Sequence, residues 1–146
     1  TTEIYTLSLH DALPIYVATC ARLIRSIAPG ARIAVWSDMF DPFHNARDDY
    51  YLINGDLAGS WEGLDKDLII VAWHFGIRDQ SLPFFAARGN PVLVAGYYDA
   101  PVEQLRDWLV AGKAAGNLQG VMYTTWQGNF SDLEAFARIA EEEAHK

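Results

Sequence analysis

Four aromatic residues, Trp36, Trp73, Tyr97 and Trp126, each close a short apolar run of this chain. The runs read IAVW up to Trp36, LIIVAW up to Trp73, PVLVAGY up to Tyr97 and QGVMYTT just before Trp126. Two of the four are followed at i+2 by an aspartate, Asp38 after Trp36 and Asp99 after Tyr97. Rings that converge on one mouth offer flat apolar faces, and aspartates beside them offer hydroxyl acceptors. Sugars need both, because their C–H faces pack on rings while their hydroxyls donate to carboxylates. A single Trp at such a place fills core space as readily as it lines a pocket. Repetition at equivalent positions is what points to a pocket.

The elements that must position these residues follow from the pattern. Arg32 to Trp36, Leu68 to Trp73, Pro91 to Tyr97 and Gln119 to Thr125 read as buried strands. Helical spacing predicts helices over Tyr16 to Ala28, Asp79 to Arg88, Pro101 to Ala115 and Ser131 to His145. Gly89 and Gly116 supply helix stops, and Ser131 with Glu134 spells a capping box. The long connection from Asp38 to Trp61 carries a hairpin signal at Asn54-Gly55, and its aromatics favour an ordered loop. Apolar strands alternating with amphipathic helices predict an α/β fold of parallel βα repeats, with the sheet covered on both sides.

Two architectures fit, an open doubly wound sheet or half of a (β/α)8 TIM barrel. Ligands of either sit at the carboxyl ends of the strands. Strand parity then groups Ala34, Trp36 and Asp38; Ile69, Val71 and Trp73; Ala95, Tyr97 and Asp99; and Met122, Thr124 and Trp126.

Composition narrows the function. The 146 residues suit one domain, 51% of them are hydrophobic, and the formal net charge is −8. That charge argues against nucleic-acid and anionic-membrane partners, and no run is long enough to span a bilayer. One cysteine, Cys20, excludes an internal disulfide and a multi-cysteine metal site. Neither a G-x-G-x-x-G nor a Walker phosphate loop is present, and no G-x-S-x-G nucleophile elbow. Nothing calls for a cofactor.

Other residues carry weaker signals. Asp38, Asp41 and His44 could hold a metal or touch substrate, with Asp38 leading as a substrate contact; no metal is expected. His74 reads as a packing residue, and Trp61 as a loop anchor or the cap of a neighbouring subsite. Trp108 and Cys20 fall on apolar helix stripes and are expected in the core. Glu141, Glu142 and Glu143 are expected on a solvated face.

Residues 1–15, TTEIYTLSLHDALPI, lack the basic start of a signal peptide. They resemble a translated short-read sequencing adapter, residue for residue in one frame. The expectation is therefore a non-native segment over 1–15 and a natural chain from Tyr16 onward. Leaving out Glu3 and Asp11 still leaves a net charge of −6 (−8 plus 2).

The strand segments resemble a family. Val35-Trp36-Ser37-Asp38-Met39-Phe40-Asp41 is similar to the fifth-strand segment of the family 20 glycoside hydrolases, the β-N-acetylhexosaminidases. Asp67 to Trp73 resembles the sixth strand, Tyr97-Tyr98-Asp99 the seventh-strand Tyr-x-Asp, and Met122 to Trp126 the eighth. Order and spacing agree over most of residues 31 to 137. The resemblance implies the C-terminal half of a TIM barrel, strands five to eight, over residues 16–146. It implies hydrolysis of terminal N-acetylhexosamine by substrate assistance, the substrate's own acetamido group attacking the anomeric carbon. Tyr97 would bond the acetamido oxygen and Asp99 the sugar hydroxyls, while Trp36, Trp73 and Trp126 would wall the pocket. The catalytic Asp-Glu pair would lie on the missing N-terminal half of the barrel, which makes this piece inactive alone. Gln127-Gly128-Asn129 stands where the family carries a Glu after its eighth-strand Trp. The readings from other classes are a non-catalytic sugar-binding barrel and an open-sheet domain with no sugar site.

Overall fold

The computed structural model describes residues 9–48 and 55–145. The chain divides into two compact units, one of residues 1–33 and 38–65, the other of residues 34–37 and 66–146.

The second unit holds a sheet of four parallel strands in the order β1-β2-β3-β4. They are β1 (Ala34–Trp36), β2 (Ile69–Ala72), β3 (Val92–Tyr98) and β4 (Leu118–Thr124). Helices α2 (Arg78–Arg88) and α3 (Gln104–Ala115) join consecutive strands, and α4 (Leu133–Ala144) follows β4. The α/β class and the alternation expected from the sequence are present. Helix α2 packs on β2, β3 and α3, and α3 packs on β3, β4 and α4. Consecutive helices that touch share one side of the sheet, as right-handed crossovers between adjacent strands require. The expectation of helices on both sides is therefore corrected for this unit. With no reversal of strand order, no crossover carries a helix to the other side.

The elements end where the chemistry says they must. Gly89 and Gly116 close α2 and α3 with φ of 91° and 87°, in the left-handed region that disfavours a Cβ. The core is aliphatic and aromatic. Ile70, Leu82, Phe85, Val92, Val94, Leu105 and Trp108 are buried, Trp108 as the sequence suggested. Asn90, also buried, donates from Nδ2 to the Leu68 carbonyl at 3.3 Å, and its own carbonyl accepts from Asn117 Nδ2.

Two expectations at α4 fail. Its N-cap is Asp132, without a side-chain capping bond, because Ser131 turns back to Asn129 Oδ1 through both its amide and its hydroxyl. Glu143 is buried rather than solvated, because the Arg106 fork of α3 reaches Glu143 at 2.8 Å and Glu142 at 2.7 Å.

In the first unit, α1 (Leu9–Ile27) runs through the Ile15–Tyr16 junction. Pro14 and Ala21 are its buried residues, and Pro14 lies against Gly63. The stripe expected inward is not: Ile24 and Ile27 are exposed and Cys20 is half-buried. Burial of the Pro14–Ala21 side turns that stripe outward. Beyond β1, Asp38–Phe40 forms a 3₁₀ turn. Phe40, Asp41, Leu57, Ser60 and Leu64 are buried, so this part of the connection is ordered as expected. The expected hairpin at Asn54-Gly55 rests on residues outside those described.

Candidate functional site

Strands β3 and β4 bring a dense set of polar contacts together at their carboxyl ends. A bulge sets it up. Ala95 pairs with Met122 and Tyr97 with Tyr123, leaving Gly96 as the extra residue of β3. Gly96 faces α3 and α4, where an added Cβ would meet Leu105 and Phe136. The Tyr97 ring stacks on Tyr123 with centroids 4.3 Å apart and planes 8° from parallel. Tyr123 in turn meets Phe136 of α4 edge-on at 5.3 Å. Tyr97 therefore follows Tyr123 to the helix side. Parity alone groups it with Ala95 and Asp99, and the bulge breaks that series.

Tyr97 is only 3% exposed. Its hydroxyl donates to Asp132 Oδ2 at 3.0 Å and accepts from Asn129 Nδ2 at 3.2 Å. Burial first, then the bonding with Tyr123 and Asp132, pushes its phenol well above the ordinary range.

Asp99 sits in the left-handed region with φ of 50°, which a non-glycine residue rarely adopts. Its Oδ1 accepts from Thr125 Oγ1 at 2.5 Å; its Oδ2 accepts from the amides of Trp126 at 2.6 Å and Gln127 at 3.2 Å. The Thr125 hydroxyl, with the two amides behind it, holds the carboxyl below its ordinary range against the opposing cost of burial. Thr125 Oγ1 also accepts from the Asn129 amide, and Tyr123 donates to the Asn129 carbonyl.

The remaining expected residues are dispersed. Trp126 is joined to Asp99 through its backbone, while its side chain is 76% exposed. Trp36 ends β1 and is 45% exposed. Trp73, half-buried past the end of β2, borders a cleft of about 260 Å³ with His74, Phe75, Gly96, Gln104 and Trp108. His74, exposed, meets the Trp73 ring edge-on at 5.7 Å. The structure thus joins Tyr97, Asp99 and the Trp126 backbone in one network, and leaves Trp36 and Trp73 outside it. Asp38 belongs to the first unit, where its Oδ1 lies 3.6 Å from His44 Nδ1. Asp41 Oδ1 there accepts from the Phe43 amide at 2.9 Å. Among the described residues, no three His, Cys, Asp or Glu side chains come together as metal ligands would, and no helix is long and apolar enough to cross a membrane.

Sequence reasoning missed Thr125, Asn129 and Asp132. One signal for them exists: Asn129-Phe130-Ser131 is an Asx turn, with Asn129 Oδ1 accepting from the Ser131 amide at 3.0 Å. Chemically, this end of the sheet offers a firmly held loop with an indole displayed on it.

No protein-family model matches this chain, and no curated protein or solved structure matches it either.

Proposed function

We propose that residues 16–146 are the C-terminal half of a (β/α)8 glycoside hydrolase acting on terminal N-acetylhexosamine, as the resemblance to β-N-acetylhexosaminidases implies. The strand order supports this reading best. Four parallel strands in sequence order, with their helices on one side, have no switch point. A doubly wound sheet needs one, whereas an arc of a barrel has none. On this reading residues 1–15 are foreign and the Asp-Glu pair lies in the preceding half of the barrel. Within the sheet unit, Trp36, Trp73 and Trp126 wall the sugar site on this reading. For Tyr97 to bond the acetamido oxygen, where charge develops in the transition state, its ring must leave the Tyr123 stack on the helix side and its hydroxyl must leave Asp132.

The test begins with the source DNA, read across the Ile15–Tyr16 junction. The expected result is an uninterrupted gene without residues 1–15, with about four more βα units before Tyr16 and an Asp-Glu closing the fourth strand. In that full-length enzyme, Tyr97→Phe should lower turnover of a p-nitrophenyl N-acetylhexosaminide far more than it weakens binding. An uninterrupted gene without the Asp-Glu pair overturns the enzyme reading and leaves a sugar-binding barrel. Equal turnover in variant and parent removes Tyr97 from the mechanism.

A further inference from the structure

We infer that Asp99 is a positioning residue: it latches the loop after β4 so that the Trp126 indole is presented in a fixed place for a sugar ring, and it does not itself bind sugar hydroxyls. This rests on the carbohydrate reading above and departs from the role that the resemblance gives Asp99.

The carboxylate is already occupied. A carboxylate has about four acceptor positions, and three protons, from Thr125, Trp126 and Gln127, already reach it. Rotating it toward a sugar hydroxyl would strip two backbone amides of their acceptor, which costs more than one new bond returns. Its left-handed backbone is strain that the surroundings must hold in place.

The loop is tied at both ends. Asp99 grips Thr125 to Gln127 at its start. At its far end Asn129 is held by Tyr97 and Tyr123, and Asn129 in turn holds Ser131. Thr125 Oγ1 links the two ends, donating to Asp99 and accepting from the Asn129 amide. On this fixed backbone Trp126 is 76% and Phe130 64% exposed. Exposed rings on an anchored loop have the form of a preorganised stacking surface, because ordering cost has been met before a ligand arrives. A sugar ring is the ligand whose C–H face suits such a surface.

The test uses the chain itself, with Asp99→Gly, which keeps the φ angle, and Asp99→Asn, which keeps one acceptor. Amide hydrogen exchange reports the latch, and N-acetylglucosamine titrated against the Trp126 indole N–H resonance reports presentation. Asp99→Gly should raise exchange at Trp126, Gln127 and Asn129 at least tenfold and leave β2 unchanged. Affinity should fall several-fold, with Asp99→Asn intermediate in both. Unchanged loop exchange in Asp99→Gly overturns the proposal. So does lost sugar binding with loop exchange intact, which would make Asp99 a ligand. If the parent chain does not bind the sugar, the presentation claim fails together with the carbohydrate reading, and exchange still decides whether Asp99 is the latch.

Discussion

Replacing Gly96 by alanine should destabilise the second unit through a single misplaced methyl group. The added Cβ would lie 2.5 Å from Leu105 Cδ1 and 3.4 Å from Phe136 Cε2. Carbon atoms rest about 3.5–4.0 Å apart, so the Leu105 methyl must retreat by roughly 1 Å. Leu105 is fully buried and Phe136 nearly so, so the retreat displaces packed core side chains. Overpacking of that kind costs about 1–3 kcal/mol. For a chain of this size the loss lowers the melting temperature by about 2–4 °C per kcal/mol. Urea unfolding is the direct assay: the midpoint should fall while the slope stays that of the parent. Leu105→Ala removes the clashing atoms, so the double variant should cost less than the two single changes summed. A Gly96→Ala protein as stable as the parent, or strict additivity in that cycle, would refute the packing argument and with it the account of how the bulge is held.

Gly112→Ala should be close to neutral in the same assay. Its added Cβ meets only the half-exposed end of Leu118, at 2.9 Å, beside a cleft of about 500 Å³ into which that side chain can turn. Relief of a helical glycine returns up to about 1 kcal/mol. Asn90→Ala should cost about 1–3 kcal/mol, since the buried Leu68 carbonyl loses a donor; a loss below a few tenths would show that another group takes over. Protection of the Trp126 and Gln127 amides should depend on pH with the sign of a lowered carboxylate. It is fully present above the ordinary Asp range and is lost as pH falls through the lower value that Asp99 has in the fold. Protection, measured against the intrinsic exchange rate at each pH, that stays flat through the acid range would deny the carboxylate its part.

Much of this architecture was legible because strands and helices here are written in local chemistry. The runs LIIVAW and PVLVAGY are short, rich in β-branched residues and read as buried strands, and Gly89 and Gly116 sit one residue past the last helical turn, where the backbone goes left-handed. The candidate site was less legible. Period-two reasoning carries a side chain to the correct face only while the ladder is regular, and Gly96 interrupts it between Ala95 and Tyr97. Nothing in the residues Tyr97 and Asp99 announces that their polar atoms are taken by Asp132 and by the Thr125–Gln127 backbone, because those partners lie more than twenty-five residues along the chain. The capping box at Ser131 and Glu134 failed for a related reason: Asn129 competes locally for the serine. Exposure of Trp36 and Trp126 is likewise a property of the whole surface and not of either residue's neighbours in sequence.

The sequential strand order has a kinetic and thermodynamic consequence. Every strand of this sheet bonds only to the strand before or after it in the chain, and α2 touches α3 as α3 touches α4. From β2 onward each pairing closes over one intervening helix, so partly folded arrays can grow one βα unit at a time, while β1 pairs with β2 across the long 38–65 connection. Such a chain behaves as a row of nearest-neighbour couplings, more like a repeat protein than a globule knotted together by long-range contacts. Its two end strands can open without the middle, so the slowest amide exchange belongs to β2 and β3 and the fastest to β1 and the outer rim of β4.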